Sequence, residues 1–194
     1  MQVLGGVEEG LVFVISGPSG AGKTTLVGML SSEFDCVEKS VSYTTRAPRS
    51  EETPGIDYNF ISLSEFEEKI LKKDFLEYAK VFDHYYGTSK SLVETQRKKG
   101  KHVLLVIDTQ GAIQLMGSYP ASFIFISPPS IEELRRRMLI RQSETHSTLA
   151  KRLSWAEKEI SLSTRYDYCI VNQDLQVAYQ VLRSILIAEE HKNR

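Results

Sequence analysis

Gly17, Gly22, Lys23 and Thr24, in GPSGAGKT, stand at the spacing G-x-x-x-x-G-K-[ST]. The chemistry that needs this spacing is the holding of a nucleoside triphosphate. A loop whose backbone N–H groups converge on phosphate oxygens must approach them closely, and a Cβ at Gly17 or Gly22 would obstruct that. The loop runs through Pro18, Ser19, Gly20 and Ala21 into the apolar spacing Leu26, Val27, Leu30, which predicts a helix. A helix N-terminus adds unpaired N–H groups and the positive end of a dipole. Lys23 brings a mobile charge to the β- and γ-phosphates, and the Thr24 hydroxyl suits Mg2+. The apolar run 11–15 ahead of the loop predicts the strand that the motif requires.

Other side chains suit the same chemistry, each with a plainer alternative. Arg46 and Arg49 bracket Pro48 in a stretch that the proline keeps extended. Guanidinium groups suit bidentate capture of a phosphate, but two arginines are also an ordinary solvated pair. Glu77 lies between Leu76 and Tyr78, so in a strand it faces the other way. Guanine presents N1–H and its N2 amino group side by side, two donors for one carboxylate, and adenine offers no such pair. A buried Glu77 therefore selects guanine, and an exposed one selects nothing. Tyr58 and Tyr86 can donate to a phosphate or simply pack half-buried. The apolar run 103–107 ends in Asp108, an acid placed to hold Mg2+ or its waters. Arg135, Arg136, Arg137, Arg141 and Arg152 form a basic group in which Arg137 and Arg141 share a helical face. They are either a solvated face balanced by Glu132 and Glu133, or cations that close over phosphates.

Positioning these groups takes a scaffold, and the sequence predicts one. The runs 11–15, 103–107, 123–126 and 168–171 are apolar without alternation, as in parallel strands covered on both faces. Helical patterns separate them. Ser62 with Glu65 predicts a capping box ahead of Leu63, Phe66 and Ile70, and Ser130 with Glu133 predicts a cap ahead of Leu134 and Met138. Leu149, Leu153, Ala156 and Ile160 form another stripe, as do Leu175, Ala178, Leu182 and Ile185 after Asp174. Strands alternating with helices predict an α/β wound sheet. The range 41–88 breaks the alternation and reads as an inserted lobe. The Arg-rich range 131–152 reads as a hinged helical cover. Both leave from carboxyl ends of predicted strands, where ligands of such sheets sit.

Bulk properties narrow the class. A chain of 194 residues suits one compact domain. With 24 Lys+Arg against 25 Asp+Glu, nothing favours a nucleic-acid or membrane-surface partner. Cys36 and Cys169 make neither a disulfide framework nor a metal cluster and fit a reducing cytosol. Residues 1–10 lack the pattern of a signal peptide, and the aliphatic runs are too short to span a bilayer. The expectation is a cytoplasmic protein.

Taken together, GPSGAGKTT, SVSYTTRAPR, GIDYNF, FLEYA, YYGTS, IDTQGA, FISPPS, RRRMLIR, KRL and VNQDL resemble the guanylate kinases of the small bacterial type, over nearly the whole chain. The resemblance implies a P-loop NTPase fold with a parallel β-sheet core flanked by helices, plus an inserted GMP-binding lobe and a helical lid. It implies one domain, with core 10–40, 89–130 and 153–190, GMP lobe 41–88 and lid 131–152. The implied activity is phosphoryl transfer from ATP to GMP or dGMP with Mg2+ at Thr24. Residue by residue, Ser42, Glu77 and Thr88 match positions that read guanine, and Arg46, Arg49, Tyr58 and Tyr86 those that hold the GMP phosphate. Gly17 to Thr24 match the ATP phosphate loop, with Lys23 catalytic. Arg137, Arg141 and Arg152 match the lid arginines, Asp108 an acid facing GMP and metal, and Asn172 a residue near the adenine end of ATP. Val106 and Gln173 stand where the family more often has acids, and Glu51 where it has glycine. Rival readings are a guanylate-kinase-like protein-binding module, another nucleoside monophosphate kinase, and a regulatory P-loop ATPase or GTPase. The complete loop and arginine set argue against the first, Glu77 with Ser42 against the second, and the absence of an N-K-x-D base motif against the third.

Overall fold

A computed structural model describes residues 3–140 and 146–193. Its first strand, β1 (Val12–Ser16), is buried along all 5 residues because it is covered on both faces. Phe13 and Ile15 pack with Leu26, Leu30 and Leu182, while Val12 and Val14 pack with Val93, Ala112 and Leu115. Alternate side chains thus enter two separate clusters, and the strand reads as one unbroken apolar run.

From β1 the chain passes through the glycine loop into α1 (Lys23–Glu33) and the edge strand β2 (Val37–Lys39). A lobe follows, with β3 (Tyr43–Thr44), β4 (Asn59–Phe60), α2 (Leu63–Leu71), β5 (Phe75–Val81) and β6 (His84–Ser89). The chain then returns through α3 (Lys90–Arg97), β7 (His102–Val106), α4 (Thr109–Leu115) and β8 (Ser122–Ser127). Next come α5 (Ile131–Ile140) and α6 (His146–Ser161), and then β9 (Tyr168–Val171) and α7 (Leu175–Glu190).

The main sheet has the order β2-β7-β1-β8-β9, and every pairing in it is parallel. Helices cover both faces, as the sequence predicts. The lobe carries its own sheet, β4-β3-β6-β5, mostly antiparallel. Its core is aromatic. Phe66 is fully buried and stacks on Phe75 at 4.6 Å and on Tyr85 at 5.4 Å.

Helix starts follow local chemistry. Ser62 and Glu65 form the expected capping box, the Ser130 hydroxyl accepts from the Glu133 N–H at 3.1 Å, and Asp174 accepts from the Val177 N–H at 2.9 Å. The sequence patterns do not predict helices α3 and α4, capped by Ser89 and Asp108, or the strand β2. Leu134 and Met138 of α5 pack on Leu149, Leu153 and Ala156 of α6. That helix runs unbroken through position 152 to Ser161. Among the described residues no helix is long and apolar enough to cross a membrane.

Candidate active site

The glycine loop is held shut from behind. A Cβ on Gly17, whose φ is 139°, would lie 2.1 Å from the Ile126 carbonyl oxygen of β8. Gly22 caps α1 with φ 98° and ψ 11°, and a Cβ there would lie 2.3 Å from Asn172 Nδ2. Asn172 is 4 % exposed. Its amide donates to the Ala21 carbonyl at 2.8 Å and its backbone N–H to Ser127 O at 2.8 Å. It therefore braces the loop against the ends of β8 and β9. Lys23 Nζ donates to the Gly17 and Pro18 carbonyls at 2.5 and 3.0 Å, so its charge lies over the loop. Thr24 is exposed in the first turn of α1. Beside it a cleft of about 430 Å³ opens, with Gly28, Lys39 and Ile56 among its walls.

Two arginines, one on α5 and one on α6, reach this loop region. Arg152 Nη2 donates to Ser19 Oγ at 2.5 Å. Arg137 donates to Glu133 Oε1 at 2.8 Å and to the Asn172 carbonyl at 2.9 Å. Hydrogen bonds from Arg136 and Arg137 pull the Glu133 carboxyl down to about 2. Arg141 lies outside the described residues.

The lobe gathers a second cationic group. Arg46 donates through Nη2 to Glu52 Oε1 at 2.7 Å and through Nε to Tyr86 Oη at 3.2 Å. Its guanidinium lies 5.5 Å from the centre of the Tyr58 ring, which meets Tyr86 edge-on at 5.8 Å. Burial pushes the Tyr58 phenol up, so it stays protonated and able to donate. The Arg49 side chain is exposed, and its backbone N–H donates to Glu52 Oε2 at 2.9 Å. The Arg46 bond holds the Glu52 carboxyl below the usual range.

On the lobe's other strand pair, Glu77 sits opposite Thr88, whose Oγ1 donates to Glu77 Oε1 at 2.5 Å. Ser42 is half-buried next to β3. Glu77 is 4 % exposed, and burial pushes it up to about 7; the Thr88 bond opposes the shift and the Asp108 charge adds to it. Asp108 caps α4 through the Gly111 N–H at 2.9 Å and accepts from Gln110 Nε2 at 3.0 Å. Glu159 of α6 is also buried and also pushed up to about 7 by burial, with Lys23 opposing and Asp108 adding. The Asp108 charge thus acts on both Glu77 and Glu159, and the Lys23 charge on Glu159. The structure gathers Tyr58, Tyr86 and Glu52 around Arg46, pairs Glu77 with Thr88, and sets Arg152 against Ser19 and Arg137 against Asn172.

The guanylate kinase family model matches residues 10–189. A guanylate kinase of Protochlamydia amoebophila is 57 % identical over 192 residues, covering 98 % of each chain. One of Clostridioides difficile is 45 % identical over 187 residues, covering 96 % of this chain and 91 % of its own. The crystal structure of guanylate kinase from Anaplasma phagocytophilum superposes with a TM-score of 0.78 at 36 % identity, covering 99 % of this chain and 91 % of that one.

The chain belongs to the guanylate kinase family.

Three residues at this guanylate kinase site are not revealed by the sequence patterns. Glu52 orients Arg46, and its nearest sequence signal is an acid three residues after Arg49. Glu159 is masked by its neighbours, since it lies between Ala156 and Ile160 of the apolar stripe without interrupting it. Gly111 leaves room for Glu77, because a Cβ on it would lie 2.1 Å from Glu77 Oε2. Gly111→Ala should raise KM for the guanine nucleotide by roughly tenfold or more while KM for ATP stays within about twofold. The better helix propensity of Ala, about 1 kcal/mol, works in favour of the variant's fold. Steady-state kinetics with each nucleotide varied in turn checks this, and equal changes in both KM values reject it.

Proposed function

We propose that this chain transfers the γ-phosphate of ATP to GMP or dGMP, giving ADP and GDP or dGDP, with the loop as donor cradle and the lobe as acceptor cradle. The observation that carries the reading is Glu77, a buried acid bonded to one hydroxyl and set in the lobe that holds Arg46. A carboxylate there has lone pairs to spare for the N1–H and N2 amino donors of guanine. Ser42 and Thr88 complete that reading of the base. Arg46, Arg49, Tyr58 and Tyr86 hold the acceptor phosphate, and Glu52 keeps Arg46 aimed.

The attacking group is a phosphate oxygen already ionised at neutral pH, so the protein's task is positioning and charge stabilisation. Lys23 leaves the Gly17 and Pro18 carbonyls for the β- and γ-phosphates as ATP enters. The backbone of Gly17 to Thr24 wraps those phosphates, and Asn172 holds the loop at the adenine end. Arg137, Arg141 and Arg152 come from the cover, range 131–152, and balance charge on the transferring group. Closing cover and lobe, range 41–88, onto the core expels water that would otherwise accept the phosphate.

Mg2+ fits this arrangement. Among the described residues no group of three or more His, Cys, Asp or Glu could hold a metal unaided. Thr24 is exposed beside the loop, and kinase sites hold Mg2+ with few protein groups plus phosphate oxygens. Thr24, with Asp108, would hold Mg2+, and the ion would supply positive charge against the negative charge of the phosphates.

An assay of ADP release with ATP against GMP, dGMP, AMP and UMP tests the reading. GMP and dGMP should turn over, and AMP and UMP should be slower by roughly 10³-fold or more, because neither offers Glu77 the adjacent pair of donors that guanine does. Comparable rates with AMP would overturn the assignment.

A further inference from the structure

The turn between β5 and β6 is Phe82-Asp83, closing the pair Val81↔His84. Phe82 has φ 54°, and Asp83 does not share this left-handed conformation. A two-residue hairpin of that form favours glycine at its first position, where a side chain costs free energy. Phe82 does not recover that cost in the lobe's aromatic core. It is 55 % exposed, while Phe66, Phe75 and Tyr85 stack below without it. Its aromatic neighbour is instead Trp155 of α6, with ring centroids 6.0 Å apart and planes at 44°.

The position of Trp155 on α6 matters. Arg152, Trp155 and Glu159 are spaced three and four apart, so they share one face of the helix. Arg152 touches Ser19 in the phosphate loop, and Glu159 feels the charges of Lys23 and Asp108. One helix face thus meets the loop, the start of α4 beside Asp108, and the tip of the lobe. Strain kept at a position where it serves no local packing points to a use elsewhere.

We propose that Phe82 and Trp155 are positioning residues: an aromatic latch through which the acceptor lobe, once filled, holds α6 and its Arg152 over the phosphate loop. The latch rests on the phosphoryl-transfer reading given above. It makes occupancy of one cradle favour closure at the other, so each nucleotide strengthens binding of its partner, and by linkage the effect is reciprocal. One tilted aromatic contact supports a coupling of roughly three- to tenfold.

Trp155 is the single tryptophan of the chain, so intrinsic emission reports this contact. The test uses the full chain, Phe82→Gly, which gives the turn its favoured residue and removes the ring, and Phe82→Tyr, which keeps a ring. GMP is titrated with and without a non-hydrolysable ATP analogue, reading Trp155 emission and Kd, with circular dichroism melts as the check on folding. In the parent, both ligands together should change emission more than either alone, and the analogue should tighten GMP. Phe82→Gly should melt normally, lose that emission change, and lose roughly three- to tenfold of the coupling. Phe82→Tyr should restore both. Unaltered coupling in a folded Phe82→Gly, or no restoration by Phe82→Tyr, overturns the latch while GDP formation by the parent leaves the functional reading intact. A parent that forms no GDP from GMP and ATP overturns both.

Discussion

Lys23→Ala should lower turnover by about 10³-fold or more while the protein still folds. Phosphoryl transfer asks little of a protein beyond placing charges, and removing one preorganised donor to a developing charge costs about 10² to 10³ in rate. Lys23 carries a full charge and stands at the first position of α1, beside the loop whose carbonyls it bonds at 2.5 and 3.0 Å. The fold has little to lose at this position. The loop keeps its brace from Asn172 to Ala21, and Ala is the better helix former. The neighbouring acid has more to lose. Lys23 opposes the upward push of burial on Glu159, so without it Glu159 should hold its proton to still higher pH. Steady-state assay together with thermal melting by circular dichroism checks the prediction. Near-normal turnover in a folded variant rejects the role of Lys23.

What the sequence reveals and what it hides follows from range. The glycine loop is legible because its function is written in eight consecutive positions, each with a local reason. Helix caps such as Ser62 with Glu65, and Ser130 with Glu133, are legible for the same cause. The buried strands are legible because two covered faces leave an unbroken apolar run, as in β1. β2 leaves no such run, since it is a sheet edge of 3 residues with only Val37 buried. β3 and β4 are 2 residues each, too short for any period to register. The role of Gly111 is invisible along the chain because it is defined by Glu77, which strand β5 of the lobe's sheet delivers to this helical position. Glu159 is hidden in the same way, since only the packing of α6 onto the core gives it Lys23 and Asp108 as neighbours. Phe82 needs both its φ and its partner before it means anything.

Glu77→Gln should stabilise the nucleotide-free protein at alkaline pH and disable its recognition of GMP. Burial moves the Glu77 carboxyl from 4.5 up to about 7. A folded-state value above the unfolded one means that the fold binds this proton more tightly than the open chain does. The resulting stability is complete below pH 4.5 and is lost as pH rises through 7. Above that range the empty fold carries a buried carboxylate at a cost on the order of 3 kcal/mol. Gln removes the charge and keeps an oxygen for Thr88, so the variant's Tm should exceed the parent's by several degrees at pH 8 and lose that advantage near pH 4.5. Binding should move the other way. A carboxylate accepts both guanine donors, whereas an amide oxygen accepts one and the amide nitrogen meets the other donor with a donor of its own. The loss should be roughly 10² to 10³ in affinity for GMP with ATP nearly unchanged. Parent affinity for GMP should rise between pH 6 and 8 as the carboxylate ionises, the window set by a value of about 7, and the Gln variant should lack that rise. Calorimetric titration of each nucleotide at both pH values decides the matter. Equal losses for GMP and ATP would place Glu77 in the fold's upkeep and leave the choice of base to some other group, whereas a selective loss joined to a gain in stability is what a recognition carboxylate, held against its own solvation, must produce.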